Sequence, residues 1–243
     1  MTEPYTAIFA AASFEYKEVK KAVSYTAQVK NTDISCISGK LGGRKILLIK
    51  TGMGLVNAQK AFARICRKDI KINSIINIGT GGALNPDYSV GDVALVDRAV
   101  KESDGTEYVP ESIDIKPYVC GPVKVHLKSK LISVDKPVCS PARRHYYRNV
   151  YNADVADMEA AGLIEMAVGR GLPCCVIKGI SDTGDDLANI PENIIIPDGR
   201  LNCREMIFQL SRSPYGSVKS LVHMYKNCIS AMNNAVSYLA RVI

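Results

Sequence analysis

The sequence predicts an α/β fold: one sheet covered by helices on both faces. Two observations carry that expectation. Short apolar runs alternate along the chain with segments of helical period, and those runs are continuously apolar rather than alternating apolar with polar. A strand without a polar side has no face to turn to water, so both faces must be covered, as in sheets flanked by helices.

Five such runs read as strands: "TAIFAAA" (6–12), "RKILLIKTG" (44–52), "INSIINIGTG" (72–81), "VGDVALVDRAV" (90–100) and "LPCCVIKGISD" (172–182). Between the second and third, "LVNAQKAFARICRKD" (55–69) puts Val56, Ala58, Ala61, Phe62 and Ile65 at helical spacing. The segment "MEAAGLIEMAVGRG" (158–171) has the same character and closes on Gly169 and Gly171, which are helix stop signals. Residues 183–216 are polar and loop-like, punctuated by Pro191, Pro197, Pro214 and the turn-like "PDGR" (197–200). A last helix then gathers Val218, Leu221, Val222, Tyr225, Ile229, Met232, Val236 and Leu239 on one face. Lysines, asparagines and Arg241 fill its other face, so it packs on the protein rather than crossing a membrane. No internal repeat and no linker interrupts the pattern, which makes 1–243 one expected domain with a C-terminal extension at about 187–243.

At 243 residues and 47% hydrophobic content, the chain has material for one substantial core. The net charge of +7 is spread in short clusters such as "ARRHYYR" (142–148), without the dense basic face or motif of a nucleic-acid groove. None of the eight cysteines forms a C-x-x-C pair, and Cys174 and Cys175 sit side by side inside an apolar run. They read as small buried hydrophobes in a reducing compartment. The apolar run from Ala7 to Ser13 has seven residues and no basic leader, too short for a signal peptide or a membrane span, so a cytoplasmic protein is expected. The three histidines are dispersed and lack ligand spacing, so neither a metal nor another cofactor is expected.

In α/β folds ligands collect at the carboxyl ends of strands. Three such places stand out: "ASFE" (12–15), "NIGTGGAL" (77–84) and "ISDTGDD" (180–186). In the second, Gly79, Gly81 and Gly82 let a backbone pass close to a ligand and Thr80 adds a hydroxyl, in what reads as a turn. The spacing is not G-x-G-x-x-G and no P-loop lysine follows, so a phosphate cradle is not supported. Gly52 and Gly54 in "TGMGLVNAQKA" read as tight strand-to-helix packing. Asp182, at the end of an apolar strand, fits either a desolvated acid or a turn residue, and Glu15 fits either a catalytic group or the exposed first turn of a helix. In "ADVADMEAAG" (153–162), Asp157 and Glu159 are two apart and do not share a helix face, so they are not one solvated stripe.

The order of "NIGTGGAL", "VGDV" (90–93), "VADMEAAGL" (155–163) and "VIKGISDTGDD" (176–186) resembles the purine nucleoside phosphorylase and uridine phosphorylase superfamily, from about Ile8 to Asp186. The core pattern is most similar to the 5'-methylthioadenosine/S-adenosylhomocysteine nucleosidases, which cut an N-glycosidic bond with water. The resemblance implies a three-layer fold, a mixed sheet flanked by helices, and a homo-oligomer. It implies Asp182 as the general acid that protonates the purine N7, and Glu15 as the group that positions and deprotonates the attacking water. Glu159 then accepts hydrogen bonds from the ribose hydroxyls, Met158 packs against the sugar, and Thr80, Gly81 and Gly82 line ribose and base.

Phosphorylases of the superfamily tend to hold phosphate with an arginine just before the glycine segment, where this chain has Asn77, and with a glycine-rich, arginine-containing segment where it has "ASFE". A carboxylate at position 15 repels phosphate, so the expectation is hydrolysis, with a phosphate-dependent phosphorylase and a non-catalytic nucleoside-binding protein as alternatives. The aromatic that nucleosidases stack on adenine is missing from "SVDKPVCSPA" (133–142), where Lys136 or Pro137 takes its place. That segment and the long stretch 191–224 resemble hopanoid-associated phosphorylase-like proteins, thought to remove adenine from adenosylhopane. Ile194, Ile195, Ile196, Met206, Ile207 and Phe208 would then supply either a groove for an apolar 5' substituent or a cover for the sheet edge.

Overall fold

The computed structural model describes residues 3–30, 33–68, 70–111, 113, 121–184 and 214–243, with only the helical backbone at 214–219 and 221. Ten strands and five helices are described. They are β1 (Tyr5–Ala10), α1 (Ser13–Ala22), β2 (Ser24–Gln28), β3 (Cys36–Leu41), β4 (Arg44–Lys50), α2 (Leu55–Cys66), β5 (Ile72–Ala83), β6 (Val93–Lys101), β7 (Glu107–Tyr108) and β8 (Val125–Ser133), followed by α3 (Pro141–Tyr151), β9 (Val155–Asp157), α4 (Ala160–Val168), β10 (Cys174–Asp182) and α5 (Pro214–Val242).

All strands join one mixed sheet, as expected. β1 lies parallel between β4 and β5, and β5 continues parallel to β10. β3 and β2 extend the β4 side as antiparallel strands. On the other side the sheet closes on itself, because β10 pairs with β6, β6 with β8, β8 with β9, and β9 returns to β5. The closure depends on β8 and β9, neither of which the apolar pattern announces. β8 carries lysines at 128 and 130 within its span, and β9 has three residues.

Helices cover both faces. α2 presents Ala58, Ala61, Phe62 and Ile65, and α4 presents Ala160, Ala161, Leu163, Ile164 and Ala167, to one core. A Cβ at Gly162 would stand 2.8 Å from Leu55 Cγ, so glycine there sets how closely the two helices approach. Val19 of α1 and Met232, Ala235, Val236, Tyr238 and Leu239 of α5 fill the opposite core with Ile8, Ile46, Leu48, Ile76, Ile78 and Ile177.

Among the described residues of the expected α5 face, Met232, Val236 and Leu239 are buried. Val222 and Tyr225 are exposed, and the side chains of Val218 and Leu221 lie outside the described residues. A 29-residue helix is about 43 Å long at 1.5 Å per residue, whereas the nine-residue strand β10 beneath it spans about 30 Å, so one end must overhang. Much of the expected extension, 187–213, including Ile194 to Ile196 and Met206 to Phe208, also lies outside the described residues.

α5 touches β10 most closely at Gly179, where a Cβ would stand 2.2 Å from the Ala231 carbonyl oxygen. Nothing flexible is available to move, because the clash is with backbone. Gly179→Ala is therefore expected to destabilise the fold by about 1–3 kcal/mol, read as a lowered midpoint in urea unfolding. An unchanged midpoint would show that α5 slides freely on β10.

Candidate active site

The register of the sheet gathers the acids. β10 runs beside β5 with Lys178 opposite Gly79, Gly179 opposite Thr80 and Asp182 opposite Gly82. β9 lies on the other side of β5's end, Ala156 opposite Gly82, and Asp157 is opposite Ser133 of β8. Glu15, in the first turn of α1 just past β1, and Glu159, just ahead of α4, complete the group. All four carboxylates are buried.

Glu15 is not the exposed helix-opening residue that its position also allows. Its Oε2 accepts the N–H groups of Ala11 (3.1 Å) and Ala12 (2.8 Å), and its Oε1 accepts both the N–H (2.8 Å) and the hydroxyl (3.0 Å) of Thr80. The helix start supplies donors that have no carbonyl partner within the helix, and the carboxylate is fixed by them. Thr80, Gly81 and Gly82 are the last part of strand β5 rather than a turn, because β10 pairs with all three and β9 with Gly82. Their smallness first serves the protein's own groups. A Cβ at Gly79 would stand 2.9 Å from Glu15 Oε1, at Gly81 2.6 Å from Val155 Cγ1, and at Gly82 3.1 Å from Asp182 Oδ1.

Asp157 and Glu159 separate into two roles, not as two positions of one helix but because Asp157 ends β9 and Glu159 immediately precedes α4. Asp157 Oδ2 accepts the Ala160 N–H (2.9 Å), and Oδ1 accepts the Ser133 hydroxyl (2.5 Å), whose oxygen in turn accepts the Ala161 N–H (2.9 Å). The start of α4 is thereby capped from two strands. Glu159 points elsewhere: its Oε1 accepts the Gly54 N–H at 2.6 Å. Gly54, at φ 94°, is therefore more than a packing glycine, since it brings the amide at the head of α2 to this carboxylate. Met158 is half-buried and packs on the cluster of Leu84, Val100, Ile132, Val134, Val138 and Tyr147.

Two cations complete the site, Lys178 and Arg144, and neither is among the site residues that the sequence motifs point to. Lys178, fully enclosed in β10, places its Nζ 2.7 Å from Asp157 Oδ2. Burial alone would pull its ammonium down, but the carboxylates of Asp157, Glu159 and Glu15 outweigh it and hold the group above its usual range. Burial, with Asp157 nearby, pushes Glu159 up to about 8. Arg144 of α3 is also buried. Its Nε–H donates to the Val138 carbonyl (2.8 Å), Nη1 to the Ala83 carbonyl (2.7 Å) and Nη2 to Asp182 Oδ1. The Ser181 hydroxyl reaches Asp182 Oδ2 at 2.9 Å. Cys228 of α5 feels the charges of both Asp182 and Glu15, and burial above all pushes its thiol up to about 12, which keeps it neutral.

Signals for both cations exist in the sequence. A lone lysine inside "CCVIKGIS" has no route to water and must be paired. Arg144, Tyr147 and Tyr151 recur at i, i+3 and i+7, the buried side of a helix hidden within "ARRHYYR" and its continuation. Beside Arg144 a cavity of about 530 Å³ opens between Leu84, Pro86, Pro141, His145, Thr183 and Gly184.

This arrangement can be set against known proteins. The family model of the phosphorylase superfamily matches residues 5–196. The chain belongs to the phosphorylase superfamily. Among its relatives is a 5'-methylthioadenosine/S-adenosylhomocysteine nucleosidase of Buchnera aphidicola, 24% identical over 80% of this chain and 93% of its own. Another of that name, from Staphylococcus aureus, is 24% identical over 75% of this chain and 88% of its own. Among solved structures, the Neisseria meningitidis nucleosidase in complex with methylthio-immucillin-A superposes with a TM-score of 0.74 at 18% identity, covering 99% of this chain and 98% of that one. A Borrelia burgdorferi chain bound to adenine superposes with a TM-score of 0.72 at 15% identity, covering 98% of both. At such identities the superpositions establish the superfamily's fold.

The ion pair between Lys178 and Asp157 can be tested directly. Removing one partner strands a buried charge, so Lys178→Met is expected to lose about 3–5 kcal/mol in denaturant unfolding, and the double variant Lys178→Met/Asp157→Asn to regain much of it. Glu159 gives a pH test. A carboxyl raised from 4.5 to about 8 on folding makes the folded state hold the extra proton between those values, so stability is full below pH 4.5 and falls as pH rises toward 8. Relative to Glu159→Gln, the parent chain should therefore lose stability between pH 5 and pH 8; a constant difference would contradict the burial of this charge.

Proposed function

We propose that this chain is a nucleosidase that cleaves the N-glycosidic bond of a purine nucleoside carrying a modified 5' group, releasing adenine with water as the nucleophile. The observation that carries the reading is two fixed, buried carboxylates, Glu15 past β1 and Asp182 at the end of β10, on either side of β5, with Glu159 buried in the same group. The names of the curated relatives, and the nucleoside analogue and adenine in the superposed structures, support it.

In this reading Asp182 gives a proton to N7 while the bond from ribose C1' to N9 breaks and its electron pair leaves with the base. The ribosyl group becomes cationic, and carboxylates that are already oriented stabilise it without reorganising. Water bonds to C1', and its proton passes to Glu15. Glu159 holds the ribose hydroxyls and Met158 the sugar's apolar side, while Thr80, Gly81 and Gly82 line ribose and base. Hydrolysis is favoured over phosphorolysis because Asn77 stands where phosphorylases tend to carry an arginine, and because Glu15, held by four donors, cannot swing away from an approaching dianion.

For the 5' group, adenosylhopane is the candidate that the chain's resemblance to hopanoid-associated proteins favours. We further read the protein as a cytoplasmic homo-oligomer, one domain from 1 to 243 with its extension at about 187–243, needing no cofactor. Cys36, Cys66, Cys174, Cys175 and Cys228 are free thiols, which suits a reducing compartment, and among the described residues no helix is long and apolar enough to cross a membrane.

The test is release of free base from methylthioadenosine, S-adenosylhomocysteine, inosine, futalosine and adenosylhopane, each with and without phosphate. Phosphate-independent release of adenine is expected, and release only with phosphate would make the chain a phosphorylase. Asp182→Asn should still bind nucleoside but lose about 10²–10⁴-fold in turnover, the usual worth of general-acid help. Turnover at the parental rate would remove Asp182 from the mechanism.

A further inference from the structure

Arg144 has no part in the chemistry derived so far, yet the site is shaped around it. Two glycines make room for its side chain. A Cβ at Gly82 would stand 3.2 Å from Arg144 Nη2, and one at Gly184, whose φ of +101° already disfavours other residues, would stand 2.8 Å from Cδ and Nε. The guanidinium is anchored at two nitrogens before it reaches Asp182, by the carbonyls of Val138 and Ala83. Such a fork cannot rotate to follow a mobile carboxylate; it fixes the carboxylate instead.

The two oxygens of Asp182 are thereby made different. Oδ1 faces the guanidinium, which can only donate. Oδ2 faces the Ser181 hydroxyl at 2.9 Å, and that hydroxyl has a second acceptor within reach, the Gly81 carbonyl at 3.2 Å. When Oδ2 carries a proton, the hydroxyl can turn to Gly81; when the proton has left, it can turn back to Oδ2. Oδ1 has no such freedom.

We infer that Arg144 is a positioning residue that holds Asp182 by Oδ1, so that Oδ2 is the oxygen that carries a proton to the leaving base. This rests on the reading of Asp182 as the general acid. The proton leaves Oδ2 for the purine nitrogen, the electron pair of the broken O–H bond stays on the carboxylate, and Arg144 stabilises the negative charge that grows there.

A double-mutant cycle tests this. Arg144→Met should lower kcat about 10- to 100-fold, the range for a lost charged hydrogen bond, with KM little changed. Arg144→Lys should recover part of the loss, and millimolar guanidinium should restore turnover to Arg144→Ala, which a purely structural defect would not allow. Because Arg144 acts only through Asp182, adding Arg144→Met to Asp182→Asn should lower kcat little further. Factors that multiply in the double variant, or an Arg144→Met protein with the parental kcat, would overturn the inference while leaving the nucleosidase reading intact. A parent chain that releases no base from any of the nucleosides would overturn both.

Discussion

Four carboxylates buried at one end of a sheet would repel one another strongly in a medium of low dielectric constant, and the rest of the site is arranged around that constraint. The chain answers it in three ways. Lys178 neutralises Asp157 inside the cluster, and Arg144 neutralises Asp182 at its edge. Glu15 is spread over four donors from α1 and β5. Glu159, cut off from water by burial and with the like charges of Asp157 and Glu15 nearby, has one backbone donor and holds its proton up to about pH 8.

Neutralising the acids also fixes them in place. The pair of Lys178 with Asp157 ties β10 to β9, and Asp157 with Ser133 caps α4, the helix that follows Glu159. The guanidinium of Arg144 joins α3 to the ends of β5 and β10. Preorganised charge of this kind is what a cationic transition state requires, because the carboxylates need not move when the positive charge appears. The ring through β5, β10, β6, β8 and β9 supplies the rigid frame, and the glycines of β5 let side chains from three directions approach one strand.

Much of this was legible before any coordinates. The five apolar runs are strands β1, β4, β5, β6 and β10, each with most of its residues buried, and the helices α2 and α4 follow from their spacing. The ends of β1, β5 and β10 mark the site by the general rule for α/β folds, whereas Asp157 and Glu159 part because the first ends strand β9 and the second precedes α4, which helix spacing does not describe. The remaining elements are coded by partners distant in sequence. β8 looks like a charged loop because its lysines stand on a half-exposed strand, and β9 is too short to show a period. α3 looks like a basic surface cluster because its buried face carries an arginine and tyrosines, residue types that usually stay near water.

The missing cations show why local reading fails at a site such as this one. Hydrophobic patterning treats a lysine inside "CCVIKGIS" as an interruption, when its burial is itself the information: a charge without a path to solvent implies a counter-charge elsewhere in the fold. Asp157 is 21 positions earlier and Arg144 is 38 positions before Asp182, separations that only sheet register and helix packing close. The same logic runs from structure back to chemistry. A carboxylate with one oxygen locked by an anchored guanidinium and the other facing a hydroxyl that can choose between two acceptors is an unequal pair of oxygens, and unequal oxygens are what directed proton transfer needs.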